Sequence, residues 1–265
     1  MAHRLFFPCL GGVEFHILNL SRELVRRGCR VTVVCRQAQG LPPREVHQGI
    51  EVRRVAGLWA LGAVMREKWD VVHVHMPRNL WSLMALVAAQ RAGIPTVFTP
   101  HCFYPSSDWL WKILKALVDR TMTPLMFRLA DLTINLTPND QRDSLARGLN
   151  ADRSRLIPNS VSVGELGAVA PVDFRARYGL QGEFLLHVGR FDRVKRIDLL
   201  VQWHTELSDL SLVLIGQDDG TLPAVRGLVS ALGLGTRVRI IPRASFRELC
   251  GAYRQAAALV MATAY

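Results

Sequence analysis

The stretch DVVHVHMPRNLWSLMALVAAQRAGIPTVFT, residues 70–99, decides the fold class of this chain. It begins with a short Val-rich run at 70–75 and ends with another β-branched run at 95–99, and a helical pattern at 79–91 separates them. Two short apolar runs joined by a helix predict a βαβ unit with parallel strands. The predicted strand runs of the chain are in general apolar on both faces, as a sheet covered by helices on each side requires.

The same alternation of strand and helix continues through both halves of the sequence. Further strands are predicted at 30–35, 50–55, 131–136, 184–188, 211–215, 237–241 and 258–262. Further helices are predicted at 13–27, 107–129, 139–148, 195–207, 221–233 and 245–257. A segment richer in Gly, Pro and Ser, residues 152–174, interrupts the pattern and places a linker near 160–170. The expected architecture is α/β, with Rossmann-like, doubly wound parallel-sheet domains at 1–165 and 166–265.

Composition narrows the class of protein. The chain has 265 residues, of which 49% are hydrophobic, so a substantial core is available. The sequence contains no apolar run of the ~18–20 residues that a transmembrane helix needs, and its start is too short for a signal peptide. We therefore expect a cytoplasmic protein that can also lie peripherally on the inner face of the membrane. The five cysteines form no CxxC pair, and we expect reduced thiols.

The formal net charge of +11 indicates an anionic partner. Nucleic acid, an anionic lipid surface and phosphorylated small molecules all satisfy that charge. The sequence shows neither zinc-finger spacing nor the aromatic strand of an RNA-recognition motif. Nucleic acid is therefore not the expected partner.

A basic loop follows one predicted strand, in LLHVGRFDRVKRIDLLV at 185–201. Ligands of doubly wound sheets bind at the carboxyl ends of the strands, and Arg190 and Lys195 follow the strand end at Gly189. Arg offers a bidentate fork for phosphate, whereas Lys offers a point charge, and Lys195 is predicted to begin a helix. These residues predict a diphosphate site; the alternative is a solvated basic turn.

Glycines mark two more strand ends. Gly11 and Gly12, in FPCLGGVEFH at 7–16, precede a predicted helix and would let an anion approach its backbone. A tight strand–helix turn is the alternative. Gly216, in LVLIGQDDG at 212–220, would let a nucleotide approach, while Asp218 and Asp219 are expected to cap the next helix.

Histidines mark the edge of the predicted first sheet. His73 and His75 alternate along one strand and so lie on one face, but no third ligand with suitable spacing lies nearby in the sequence, and no metal is expected. His101 follows the strand at 95–99, where an active-site loop belongs, and is a candidate for orienting a hydroxyl or moving a proton. A loop histidine bonded to backbone is the alternative.

The predicted helix at 107–129 mixes aromatic and basic residues. Trp109 and Trp111 accompany Lys112 and Lys115 near its start. This mixture is typical of an interfacial helix that lies on an anionic membrane. The alternative is a buried helix whose lysines extend to solvent.

Taken in order along the chain, these segments resemble the retaining glycosyltransferases of family 4, which have the GT-B fold. The matching segments are Pro8 with Gly11–Glu14, then DVVHVH, TPH, ADLTINLT, IPN at 157–159, GRFDRVK at 189–195, IGQDDG and YRQAAALVMA. The resemblance covers nearly the whole chain. It implies two Rossmann-like domains that face each other across a cleft.

The resemblance also implies roles for residues. A UDP- or GDP-sugar donor would bind the second domain, where Arg190 and Lys195 hold the diphosphate and stabilise the departing charge. Gly11 and Gly12 would approach the same phosphates, Gly216 and Arg243 would lie near the nucleotide, and His101 would lie near the transferred sugar. The sugar would pass to a lipid-linked or glycan acceptor with retention of the anomeric configuration, and no metal or other cofactor is expected.

The sequence departs from the family pattern at several points. Residues 159–162 read Asn-Ser-Val-Ser where the family has Asn-Gly-Val-Asp, and Arg196 and Arg243 stand where glycines are usual. The acidic Glu-x7-Glu motif would lie beyond Tyr265, so we expect a chain truncated in its second domain, with its start as a second candidate for truncation. Alternatives are a non-catalytic nucleotide-sugar-binding module and a GT-B-fold sugar-nucleotide epimerase.

Overall fold

The computed structural model describes residues 1–8, 11–65, 67–103, 109–161, 163–170, 172–207 and 210–263, without the side chains of 165 and 166. The chain divides into two compact units, Met1–Val161 and Ser162–Tyr265. This division falls four residues before the boundary expected from the sequence, 1–165 and 166–265. Each unit is an α/β structure built on its own parallel sheet.

The first unit contains a mostly parallel sheet. Its strands are β1 (Thr32–Arg36), β2 (Arg44–His47), β3 (Ile50–Val55), β4 (Val72–His75), β5 (Thr96–Thr99), β6 (Leu132–Asn135) and β7 (Ser154–Leu156). They form two ladders, in the orders β1–β3–β2 and β4–β5–β6–β7. Every pair is parallel except β2 with β3, which is antiparallel.

The first residues of the chain join these two ladders. The backbone N–H of Ala2 donates to the carbonyl of His73 at 2.8 Å, and that of Val34 donates to the carbonyl of Met1 at 2.8 Å. Ala2 is fully buried between β1 and β4. The short N-terminal run therefore occupies the central strand position of a doubly wound sheet.

Helices cover both faces of this sheet. They are α1 (Gly12–Arg26), α2 (Leu58–Val64), α3 (Leu80–Arg91), α4 (Trp109–Leu129) and α5 (Pro138–Ala146). Local sequence explains several of their ends: the Asn79 side chain accepts from Trp81 N, and Thr137 accepts from Asp140 N. Gly28, with φ of 86°, follows α1 in the left-handed conformation.

The second unit repeats the scheme. Its elements are α6 (Val163–Ala168), α7 (Phe174–Tyr178), β8 (Phe184–Val188), α8 (Ile197–Trp203), β9 (Ser211–Ile215), α9 (Leu222–Ala231), β10 (Val238–Ile241), α10 (Phe246–Gln255) and β11 (Ala258–Leu259). The sheet order is β10–β9–β8–β11, and all pairs are parallel. Apolar clusters lie on both faces of the sheet, as its continuous apolar strands require.

Several elements differ from the sequence expectation. The polar edge strand β2, the short helix α2 and the three-residue β7 were not predicted. Helix α6 lies within the expected linker, and the unpredicted α7 begins at the last residue of the 152–174 segment. Strand β11 is shorter than the 258–262 expected. Cys29, Cys35, Cys102 and Cys250 are free, whereas Cys9 lies outside the described residues. Within the described ranges, no helix is long and apolar enough to cross a membrane.

Candidate functional site

Three histidines from separate segments meet at one edge of the first unit. His75 ends β4, His101 follows β5, and His16 lies on α1. One ring nitrogen from each lies within 4.8 Å of the others, and His75 Nδ1 is 3.2 Å from His101 Nε2. We call His16, His75 and His101 the histidine cluster.

His73 lies beside this cluster but has its own partner. Its ring centroid is 4.1 Å from that of His75, so the two rings share one face of β4, as their alternation predicts. His73 Nε2 is 2.8 Å from Thr99 Oγ1. Sequence spacing offered no third ligand near the His73–His75 pair, because His16 and His101 come from segments that are distant in the sequence and that the fold brings to His75.

Burial removes the charge from these histidines. Burial, together with smaller contributions from neighbouring histidines and, for His73, from the N-terminal ammonium, lowers the pKa of His73 and of His101 to about 3. The pKa of the fully buried His75 falls well below its usual range for the same reasons. Burial also lowers the pKa of His16, against a hydrogen bond with the Asn159 side chain that raises it. At neutral pH the cluster therefore presents uncharged imidazoles.

The backbone at this edge adopts unusual conformations. His101 has φ of 65°, and Met76 and Arg78, which follow β4, have φ of 71° and 53°. Non-glycine residues rarely occupy this region, and such positions concentrate at functional sites. The conformation holds His101 at the strand end where the sequence predicted an active-site loop.

The start of α1 lies next to the cluster and carries a buried carboxylate. Glu14 Oε2 accepts from the backbone N–H of Gly11 at 2.8 Å, and Oε1 lies 2.8 Å from His3 Nε2. Burial alone would raise the pKa of Glu14, but these hydrogen bonds lower it below its usual value. A Cβ added at Gly12 would meet no atom within 4 Å, so the backbone there is open to a ligand.

In the second unit, three candidate residues follow neighbouring strands. Arg190, Gly216 and Arg243 lie just beyond the carboxyl ends of β8, β9 and β10, which are adjacent in the sheet. The backbone N–H of Gly189 donates to Ile215 O at 2.9 Å, and that of Gly216 donates to Ile241 O at 3.0 Å. We call the edge formed by Arg190, Lys195, Gly216 and Arg243 the cationic edge.

Arg190 is the central cation of this edge. Its side chain is 52% exposed, so its guanidinium is accessible to an anion. It forms ion pairs with Asp219 and with Asp192, the latter at 3.1 Å from Nη2 to Oδ2. Both carboxylates hold the Arg190 guanidinium in place. An incoming diphosphate would compete with them for the N–H donors of this guanidinium.

Lys195 does not begin a helix as predicted. Residues Arg193–Lys195 form a 3₁₀ turn, Asp192 Oδ1 accepts from Lys195 N at 3.0 Å, and α8 begins only at Ile197. Arg196 separates the 3₁₀ turn from α8, because its φ of 46° is the left-handed conformation that favours glycine. The Lys195 side chain instead lies over the strand end, with Cε 3.7 Å from the position of a Cβ added at Gly189.

Gly216 has a structural reason for lacking a side chain. A Cβ there would lie 1.8 Å from the carbonyl oxygen of Gly189, so the close approach of two loops requires this glycine. Asp218 caps α9 as expected, because its Oδ1 accepts from Leu222 N at 3.0 Å. Asp219, also expected as a cap, pairs with Arg190 instead. Arg243 is exposed in the loop between β10 and α10.

The first half of α4 is exposed. Trp109 and Trp111 are 71% and 56% exposed, and Leu110, Ile113, Leu114 and Leu117 are exposed as well. The alternative of a buried helix is therefore wrong for this half, and only Thr123, Met126 and Phe127 of the described helix are buried. Lys112 is exposed, whereas partial burial and Arg78 lower the pKa of Lys115 against the opposing effect of Asp119.

The sequence analysis did not identify three residues that lie at these edges. His16 belongs to the histidine cluster, Glu14 is the buried partner of His3, and Asp219 is the partner of Arg190. His16 lies in the quoted segment at 7–16, one helical turn from Gly12. A spacing of one turn places His16 on the same face of α1 as Gly12. This spacing was the signal in the sequence that could have identified His16 as a site residue.

Comparisons with known proteins agree with this architecture. The sequence model of the family Glycosyltransferase Family 4 matches residues 10–165, more than half of the chain. A D-inositol 3-phosphate glycosyltransferase of Frankia alni is 29% identical, over 95% of this chain and 72% of the relative. A 2-deoxystreptamine N-acetyl-D-glucosaminyltransferase of Streptomyces fradiae is 32% identical, over 62% and 46%. The structure of Anabaena HepE with UDP and glucose superimposes with a TM-score of 0.76 at 16% identity, covering 99% of this chain and 73% of that one.

Proposed function

Since this chain belongs to glycosyltransferase family 4, we propose that it moves a sugar from a nucleotide diphosphate sugar to a lipid-linked or glycan acceptor, with retention of the anomeric configuration. The fold is of the GT-B class, with two Rossmann-like units, and the chain is a glycosyltransferase, as the sequence predicted. The cationic edge is the observation that carries the rest of the proposal.

The donor site is assigned to this edge for an electrostatic reason. Arg190 and Lys195 converge on the carboxyl end of β8, the position where doubly wound sheets bind nucleotides. A diphosphate carries two adjacent negative charges, and a guanidinium fork with a neighbouring ammonium matches them. Gly216 and Arg243, on the neighbouring strand ends, are the further contacts proposed for the nucleotide. Gly11 and Gly12 are proposed as additional contacts for the phosphates.

The same cations have a catalytic role in this proposal. When the sugar departs, the leaving nucleotide diphosphate gains negative charge, and fixed cations stabilise that charge more in the transition state than in the ground state. Arg190 and Lys195 thereby do the work that a metal ion performs at other phosphate sites. We therefore propose that the transfer needs no metal at the donor phosphates. The UDP bound to the HepE neighbour supports a uridine donor, with GDP as the alternative.

His101 is proposed as the catalytic residue of the first unit. Its buried, uncharged ring sits on a strained loop at a sheet edge, which suits a group that orients a sugar hydroxyl. The names of the D-inositol 3-phosphate relative and of the phosphatidylinositol N-acetylglucosaminyltransferase subunit of Saccharomyces cerevisiae support an acceptor that carries inositol phosphate, either free or linked to a lipid.

The exposed half of α4 is proposed as the membrane-facing surface. Trp109 and Trp111 would insert at the level of the lipid head groups, while Lys112 and Lys115 would face anionic lipids. Such a surface would bring a lipid-linked acceptor to the enzyme. The protein would then act at the cytoplasmic face of a membrane without spanning it.

A transfer assay tests this function. UDP- and GDP-sugars labelled in the sugar are incubated with lipid and soluble acceptors, and each donor is also incubated alone. We expect labelled product only when an acceptor is present, with Arg190→Ala inactive and Arg193→Ala, a neighbouring exposed arginine, active. Conversion of a donor without acceptor would instead indicate an epimerase, and an active Arg190→Ala would contradict the donor assignment.

A further inference from the structure

We propose that the histidine cluster, His16 with His75 and His101, is a binding site for a divalent cation of the zinc class. Three neutral imidazoles from three separate segments converge there, and one nitrogen from each lies within 4.8 Å of the others. The histidine cluster lies in the first unit, whereas the residues proposed to bind the diphosphate through their side chains, Arg190 and Lys195, lie in the second.

The distances fit a metal centre after a small adjustment. Zinc binds imidazole nitrogen at about 2.0–2.1 Å in tetrahedral geometry, which places two ligating nitrogens roughly 3.3 Å apart. His75 Nδ1 and His101 Nε2 already lie 3.2 Å apart. His16 must move about 1.5 Å at most to complete the set, and it is half-buried at the surface of α1, where its side chain can turn.

The contact between His75 and His101 is itself compatible with a shared cation. His75 is completely buried, and its Nδ1 faces His101 Nε2. The two rings therefore have a single mutual hydrogen bond at this contact, and a cation bound to both facing nitrogens would replace it.

The surroundings favour a cation over an anion. The buried Glu14 carboxylate is close enough to His101 to act on it electrostatically. Three imidazoles without a thiolate in the set suit zinc and its neighbours in the transition series rather than Mg²⁺ or Ca²⁺, which prefer oxygen ligands. Three protein ligands also leave a fourth coordination position open.

The site has a consequence for activity that rests on the proposed function. A cation bound to His101 removes that ring nitrogen from hydrogen bonding or proton transfer. Zinc is therefore expected to inhibit sugar transfer, and His16→Ala is expected to relieve the inhibition because His16 is a ligand without an assigned role in the reaction.

The test begins with binding of Zn²⁺ alone to the metal-free full-length chain. A chelator-competition titration should give one site in the wild type, weakened by about 10-fold or more in His16→Ala and unchanged in His47→Ala, a histidine outside the cluster. Imidazole ¹⁵N resonances of His16, His75 and His101 should shift on saturation. His16 is half-exposed, so its variant is expected to fold even if a His75 variant does not.

The outcomes separate this proposal from the proposed function. Equal Zn²⁺ affinity in wild type and His16→Ala, or resonance shifts at His47 in place of the cluster, would overturn the metal site. Tight binding at the cluster without any inhibition of sugar transfer would confirm the metal site while contradicting the role assigned to His101.

Discussion

The two sheet edges place their candidate groups at the same topological position but treat charge in opposite ways. In the first unit, burial removes the charge of His75 and His101, whereas in the second unit Arg190 is half-exposed and forms ion pairs with two carboxylates. Burial penalises an ion, so a buried histidine loses its proton, whereas a half-exposed guanidinium can pair with carboxylates and still be reached by an anion from solvent. The first edge therefore suits hydrogen bonding or metal ligation, and the second suits the anion site that we propose there.

The largest expected effect separates a glycine needed for packing from one that is open to a ligand. Gly216→Ala should destabilise the second unit by about 3 kcal/mol or more, because the added Cβ meets the Gly189 carbonyl at 1.8 Å. Gly12→Ala should leave stability equal or slightly higher, since its Cβ meets nothing and alanine favours a helix. Denaturant unfolding of both variants measures the difference, and similar losses would show that the two edges do not differ in packing.

The next effect tests whether the uncharged edge acts on the reaction. His101→Asn should lower kcat about 100-fold while leaving UDP affinity unchanged, because the histidine lies in the first unit and asparagine tolerates its positive φ. Steady-state kinetics beside UDP calorimetry check this. A loss of UDP affinity equal to the loss of kcat would remove the distinction between the edges.

Strand and helix periodicity predicted most of the fold, and the strand-end rule found Arg190, Gly216 and His101. The rest depended on tertiary information. The polar strand β2 has no apolar alternation, and pairing with β3 alone defines it. The pairing of Arg190 with Asp219 spans 29 positions, and the histidine cluster joins three segments. The 3₁₀ turn before α8 follows from the left-handed backbone of Arg196, which a helical pattern does not reveal.

A pH experiment extends the comparison to a histidine of the second unit. His187 is buried in β8, and burial lowers its pKa, against a hydrogen bond from its Nδ1 to the Val260 carbonyl that raises it. Below the unfolded pKa of about 6.5 only the unfolded state takes up this proton, so stability falls as pH drops.

His187→Asn retains a donor near Nδ1 but does not titrate. Between about pH 6 and pH 5 it should lose less stability than the wild type, by up to roughly 1.4 kcal/mol per pH unit. Urea unfolding across this range provides the measurement. Parallel curves for the two proteins would show that His187 is protonated in the folded state.

The smallest expected effect concerns the exposed half of α4. Lys112→Glu and Lys115→Glu should each weaken binding to vesicles rich in anionic lipid, since a basic residue near such a surface contributes about 1 kcal/mol. Lys68→Glu, an exposed lysine outside α4, is the matched control. Vesicle sedimentation at low salt measures the binding. An equal loss of vesicle binding in all three variants would show that net charge, and not the position of the lysines on α4, determines it.

Calorimetry of UDP binding tests the central claim most directly. Arg190→Ala and Arg193→Ala remove the same charge from the same loop, but only Arg190 is held by Asp192 and Asp219 at the cationic edge. We expect Arg190→Ala to weaken UDP binding by about 10- to 100-fold, the loss of one charged hydrogen-bond partner, and Arg193→Ala to change it less than about twofold. Equal affinity in both variants, whether both are weakened or neither is, would contradict the account.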